Sequence, residues 1–232
     1  MIDYAKRIIE NIIANRNADK ALWLENYVKH DIKSFGVGIP EIREIIKKFE
    51  KDTQLSKSTT KLQVEFLNDL MKNEYTEAKL AAILFVQLYW KTNKADELLK
   101  MTTNWFDNEW ITDWNVCDWL CVRLLTPQLD KEPELTVTAF SEWNKSQNLW
   151  KARASLVPFA QSKNIQRHII TILQFSTELI KREERFCKTA VGWVLREYSK
   201  TDTNFVTDFL EKHKDWITKE VIKNATKYIG QK

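Results

Sequence analysis

The chain has 232 residues, 44% of them hydrophobic, with 36 Lys and Arg against 32 Asp and Glu and a formal charge of +4. That length and apolar content suit one large domain or a short helical array with a real core. Four Gly and four Pro are too few for the tight turns of a β-sandwich or a doubly wound sheet, so the expected fold class is all-α.

In chain order, Ile2, Ala5, Ile8, Ile9, Ile12 and Ile13 recur at three- and four-residue steps and predict an amphipathic helix over 2–14. The same period predicts helices near 18–30, 40–50, 57–72, 76–91, 95–106, 113–126, 131–145, 148–161, 165–181, 184–200, 203–214 and 218–229. Pro40 sits at a helix start, where a missing N–H costs nothing. Ser56, Asp113, Asn148 and Thr218 are candidate N-caps. The longest expected connection is 30–39, where Gly36 and Gly38 permit unusual backbone angles. Pro158 should kink its helix or end the regular part. No exact repeat is visible, but pairs such as 76–91 with 95–106, or 148–161 with 165–181, have the lengths of degenerate HEAT-like units, and such arrays curve to present a concave groove.

The charge is uneven. Residues 1–140 hold 19 Lys and Arg against 22 Asp and Glu, whereas 141–232 hold 17 against 10. The basic C-terminal part suits a polyanion such as DNA, although Lys-rich helix faces are often only solvated. Three Cys without framework spacing suggest free thiols and a reducing compartment. The N-terminus lacks the apolar core of a signal peptide, and no apolar run approaches the ~20 residues that span a bilayer. A cytoplasmic protein is expected, with no membrane partner.

Ten Trp exceed what a helical core usually needs, so several are expected at a surface or cleft. Trp114 and Asp118 stand at i and i+4 and share a helix face, while Cys117, Leu120, Cys121 and Leu124 offer an apolar face for packing. This reads as an aromatic plate and a carboxylate presented together, or as a partly buried Trp beside a surface Asp. Trp150 and Arg153 are one turn apart, and an arginine fork suits phosphate. Gly192, before Trp193, sits mid-helix at a local cost of ~1 kcal/mol relative to Ala. Close helix approach explains it; room for a ligand beside Trp193 is the other reading. Cys117 and Cys121 are a turn apart, but His30, His168 and His213 lack ligand spacing, so no metal is expected. No phosphate-binding loop, dinucleotide fingerprint or hydrolase elbow occurs, so no cofactor is expected. Cys187 reads as helix interior rather than a nucleophile.

Five stretches carry a resemblance. TAVGWVLREYSKTDTNFV is long and specific; Trp114 to Asp118 and Trp150 to Arg153 occur in the family's order; YVKHDIKSFGVGIPEIREIIKKF lies in the N-terminal part, followed later by AAILFVQLYW. Together they resemble the AlkD family of bacterial DNA alkylation repair glycosylases over nearly the whole chain. The resemblance implies one HEAT-like domain over 1–232, a curved solenoid with a basic concave cleft around duplex DNA. It implies release of cationic alkylated purines such as 3-methyladenine and 7-methylguanine, without a flipped-base pocket. By position, Asp118 matches the family's catalytic carboxylate, Trp114 and Trp193 its aromatic pair, and Arg153 its cleft arginine. Tyr27, Lys29, Lys151, Lys188 and Arg196 are the further DNA-binding residues on this reading. A monomer is expected, cytoplasmic and nucleoid-associated if bacterial. The competing reading is a HEAT-like scaffold that binds DNA or protein without catalysis.

Overall fold

The structure is a computed structural model that describes residues 3–29, 32–90 and 95–230. Ile2, His30 and Lys91, which enter the sequence expectations above, lie outside the described residues. The all-α expectation holds: the described residues form helices, with one isolated bridge between Lys33 and Tyr75. The chain divides into two compact units, Met1–Leu120 and Cys121–Lys232.

The first unit contains α1 (Tyr4–Ala14), α2 (Ala18–Val28), α3 (Ile39–Thr53), α4 (Thr60–Met71), α5 (Thr76–Tyr89), α6 (Ala95–Asp107) and α7 (Trp114–Leu120). Helix α5 is its centre. Every residue from Thr76 to Val86 is buried, which fits a segment that is apolar on all sides rather than striped. The small side chains of Ala78, Ala81 and Ala82 allow close approach, and α1, α3, α4 and α7 pack on it.

The connection from α2 to α3 is folded around one carboxylate. Glu77, fully buried at the start of α5, accepts from the backbone N–H groups of Phe35 (3.0 Å), Gly36 (2.8 Å) and Val37 (3.2 Å) and from the Ser34 hydroxyl (2.6 Å). Four donors on one anion satisfy a charge that would otherwise be costly to bury. Gly36 sits at φ +73°, and a Cβ there would lie 2.0 Å from the Asn17 carbonyl oxygen, so the loop backbone rests directly on the start of α2. The expectation for Gly38 needs correction: its φ of −74° is ordinary, and it serves as the N-cap of α3.

The second unit opens with a π-helical turn, Cys121–Leu125, followed by α8 (Thr126–Lys131), α9 (Pro133–Asn144) and α10 (Leu149–Ala154). It continues through α11 (Ile169–Ile180), α12 (Arg185–Tyr198), α13 (Thr203–Lys212) and α14 (Lys219–Ala225). The uniform helix expected over 113–126 is thus interrupted. Pro127 has no N–H for the Arg123 carbonyl, and its ring would crowd that carbonyl in α geometry; the wider π turn relieves both. Pro158 acts as expected, since regular α10 stops and a 3-10 turn spans Val157–Gln161. Helix α12 is the centre of this unit, against α10, α11, α13, α14 and that turn.

Asp113, Asn148 and Thr218 cap their helices by accepting from Val116, Trp150 and Val221 N–H groups. Ser56 does not. Its N–H and hydroxyl are held by Glu50, and Thr59 caps α4 instead. The pairing is also shifted by one helix from the sequence expectation. Turns over 72–75, 145–148 and 181–184 join α4 to α5, α9 to α10 and α11 to α12, and these neighbours pack together. Helix α6 packs on α4.

Candidate active site

Helix α7 carries the carboxylate and its aromatic neighbour, and its start is fixed from three directions. Asp113 accepts the Val116 N–H at 2.9 Å and so defines the first turn. Buried Lys79 on α5 donates to the carbonyls of Met71 (3.2 Å) and Trp110, pinning the turn that leads into α7. Burial pushes the Lys79 ammonium below its ordinary pKa, and the nearby Asp113 carboxylate opposes that shift. Finally, the Trp114 indole N–H donates to the Val28 carbonyl at the end of α2, at 3.0 Å.

Trp114 therefore has a set orientation, half-buried, with Tyr27 edge-on at 5.4 Å. Tyr27 in turn stacks on Trp23, with centroids 5.1 Å apart and planes within 7°. Trp23 and Tyr27 are 63% and 56% exposed, so this is an aromatic surface rather than core. Lys29 ends α2 in the left-handed conformation, φ 55°, and is exposed beside it. Asp118 is half-buried one turn after Trp114. In the first unit Tyr27 meets Trp114, and Asp118 follows on the same helix at the i, i+4 spacing read from the sequence. Trp23 was missed, although its four-residue step to Tyr27 was a usable signal.

In the second unit, α10 and α12 bring Arg153 to the segment that precedes Trp193. Arg153 is 5% exposed. Its Nη1 donates to the Phe186 carbonyl (2.7 Å) and the Thr189 hydroxyl (3.2 Å), and its Cζ lies 5.9 Å from the Phe186 ring centre. Trp150 packs on the same ring at 5.2 Å, so Trp150 supports the arginine from within the core. Lys151 is half-buried on α10. Lys188 donates to the Trp216 carbonyl at 2.8 Å, and Arg196 pairs with Glu197 at 2.8 Å and donates to Asn224 at 3.1 Å. Such partly exposed pairs contribute only ~0–1 kcal/mol and can exchange partners.

Trp193 is half-buried, and its indole N–H is buried with no hydrogen-bond partner among the described residues. A buried donor without a partner is uncommon and costly. Gly192 has the structural explanation: a Cβ there would lie 3.4 Å from Val221 Cα and Asn224 Cβ, so α12 and α14 approach closely at that point. The Cys187 thiol is fully buried, and burial pushes its pKa up to about 11, so it is protonated at neutral pH and unsuited to attack.

The ten Trp divide as expected: Trp105, Trp143 and Trp150 are buried, and Trp23 and Trp216 exposed. The other five are half-buried. Among the described residues no group of three His, Cys, Asp or Glu side chains could hold a metal ion. None of the described helices is long and apolar enough to cross a membrane.

Residues 8–229 match a family model described as DNA alkylation repair enzyme. Two solved structures are similar. One is described as a predicted DNA alkylation repair enzyme from Enterococcus faecalis, with TM-score 0.73 and 19% identity over 94% of this chain and 98% of that one. The other is AlkD2 from Streptococcus mutans, with TM-score 0.56 and 18% identity over 91% and 98%. These likenesses show the fold, and the antiparallel helix pairs are of the HEAT-like type expected from the sequence. No curated protein is matched.

Proposed function

This chain belongs to the DNA alkylation repair enzyme family, and from that premise we propose that it hydrolyses the N-glycosidic bond of cationic alkylated purines in duplex DNA. The observation that carries the reading is the pairing of Trp114 and Asp118 one turn apart on α7, with the indole tied to Val28. A carboxylate beside a fixed aromatic plate suits a reaction that creates positive charge on a sugar.

The chemistry needs little acid catalysis. A purine methylated at N3 or N7 already carries positive charge, so the bonding pair leaves with it and the departing base is neutral. The deoxyribose becomes an oxocarbenium ion. Asp118 stabilises that cation and orients the water that adds to the anomeric carbon, giving up its proton to the carboxylate or to solvent. Trp114 and Trp193 offer π faces to the cationic sugar, and the unpartnered Trp193 N–H has a donor available for a substrate oxygen. Arg153, held by its Nη1 on α12, supplies positive charge for the DNA backbone, while Tyr27, Lys29, Lys151, Lys188 and Arg196 contact phosphate or sugar. On this reading the lesion is attacked without being enclosed in a flipped-base pocket.

The test is incubation of the purified chain with methylated duplex DNA and chromatography of the released bases. Removing one electrostatic element of this kind typically costs ~3–4 kcal/mol in barrier. The Asp118→Asn variant should therefore bind DNA as before and release 7-methylguanine roughly two to three decades more slowly. Release at the unmodified rate would remove Asp118 from the mechanism.

A further inference from the structure

The first unit contains a cavity of about 460 Å³ that the proposed chemistry does not use. That volume lies within the roughly 300–1,000 Å³ of small-ligand sites. Trp23, Leu24, Leu80 and Trp119 form its apolar walls, Asn115 lies among them, and Lys20 is at its edge. By contrast, a second cleft of about 500 Å³ along α1 and α3 is ringed by charged groups, of which Arg7 and Asp52 pair at 2.7 Å.

Two features of the first cavity select a ligand class. Its walls include two indoles, and planar bases stack on such faces without regard to sequence. Its one uncharged polar side chain is Asn115, half-buried on α7. A primary amide offers a donor and an acceptor side by side, the pattern that pairs with the amino group and ring nitrogen on the edge of adenine. The Glu77 carboxylate also borders the cavity, but its charge is taken up by the loop donors Ser34, Phe35, Gly36 and Val37.

The position of the cavity follows from helix geometry. Asn115 and Trp119 stand at i and i+4 on α7, as do Trp114 and Asp118, and the two pairs are rotated by about 100°. Helix α7 therefore presents neighbouring faces, one with the carboxylate and one lining the cavity. Trp23 links them, because it lines the cavity and stacks on Tyr27, which meets Trp114.

We propose that this cavity is a purine-base site, in which the base lies between Trp23 and Trp119 and its edge pairs with Asn115. The base comes from one of two sources: a free alkylated purine, as the proposed reaction releases, or a base extruded from DNA. Only the link to catalysis rests on the glycosylase reading; the site itself is tested without any base release.

The full chain would be dialysed to equilibrium against free adenine and free 7-methylguanine, and separately against quinoline, a bicyclic ring without the amino edge. Trp23→Ala and Asn115→Leu variants, with circular dichroism to confirm their folding, provide the comparison. Purine binding that falls about tenfold in both variants, with weaker binding of quinoline, supports the free-base source. If free purines do not bind, duplexes carrying 2-aminopurine report the second source. Quenching of its fluorescence by the wild-type chain and not by Trp23→Ala supports an extruded base, and would revise the expectation that no base leaves the stack. The proposal is overturned by neither signal appearing, by equal binding of quinoline, or by purine binding that both folded variants retain. Because no arm measures hydrolysis, a chain inactive on methylated DNA can still pass, and an active one can still fail.

Discussion

The Trp114 indole N–H donates to the Val28 carbonyl across 86 positions of sequence, tying the first residue of α7 to the last residue of α2. The bond holds the polar edge of the ring against the end of α2, one helical turn before Asp118. It also occupies the carbonyl next to Lys29, whose left-handed φ turns the chain out of α2.

Trp114→Phe keeps an aromatic face and removes this donor. A typical hydrogen bond contributes about 0.5–1.5 kcal/mol net, so stability should fall by that amount. Base release should fall further than this loss implies, because the ring would no longer be held beside the carboxylate. Thermal melting and a single-turnover assay on methylated duplex DNA measure the two effects separately. Equal rates for variant and wild type would show that the ring's orientation plays no part.

Glu77 makes the more severe structural prediction. In Glu77→Gln, the amide places a donor where backbone N–H groups and a hydroxyl already point. Hydrogen bonds to a charged group contribute about 1.5–3 kcal/mol, and an unsatisfied buried group costs about 1–3 kcal/mol. A loss of roughly 3 kcal/mol in urea unfolding is expected, with the amides of Phe35, Gly36 and Val37 exchanging faster than those of α5. Unchanged exchange in that loop would show that it does not depend on the carboxylate.

The helical architecture was legible because three- and four-residue spacing survives in almost every segment, and Asp113, Asn148 and Thr218 announce real helix starts. The pairing of helices was not, because length alone does not say which neighbour a helix packs on; the turns over 72–75, 145–148 and 181–184 decide it. Trp114 and Asp118 share a face by local geometry, so sequence could pair them. Nothing local links Val28 to Trp114, or Glu77 to Gly36, since those bonds join residues 86 and 41 positions apart. The cavity was invisible for the same reason: Trp23 and Trp119 belong to helices distant in sequence.

The two buried glycines should respond in opposite ways. At Gly36, a Cβ would meet the Asn17 carbonyl oxygen and the Ala21 nitrogen, both backbone, and the positive φ penalises any side chain. The Gly36→Ala change should destabilise the chain by more than the ~1 kcal/mol of a left-handed residue alone. At Gly192, the nearest contacts stand at 3.4 Å, and alanine recovers about 1 kcal/mol of helix propensity. Gly192→Ala should therefore melt within about 1 kcal/mol of wild type, while Gly192→Leu should force α14 away from α12. Comparable losses for both alanine variants would refute the distinction.

Acidification should destabilise the fold in two separate windows. Burial depresses the pKa of His168 below 6.5, helped by Arg167 and opposed by Asp130; burial likewise depresses that of His213, helped by Lys212 and Lys181. An imidazole with a depressed folded pKa takes up its proton more readily in the unfolded chain. Stability is then full above about pH 6.5 and is lost as pH falls towards the folded values. Glu184 behaves differently: its hydrogen bond with Arg182 lowers its pKa, so its contribution persists above about pH 4.5 and is lost below it. Urea midpoints at pH 7.5, 5.5 and 3.5 should fall at both steps. His213→Gln should shrink the first step to the part that His168 contributes, since the buried Nδ1 of His213 has no partner among the described residues and gains nothing from protonation. A midpoint that did not move between pH 7.5 and 5.5 would mean that neither imidazole resists its proton in the folded chain.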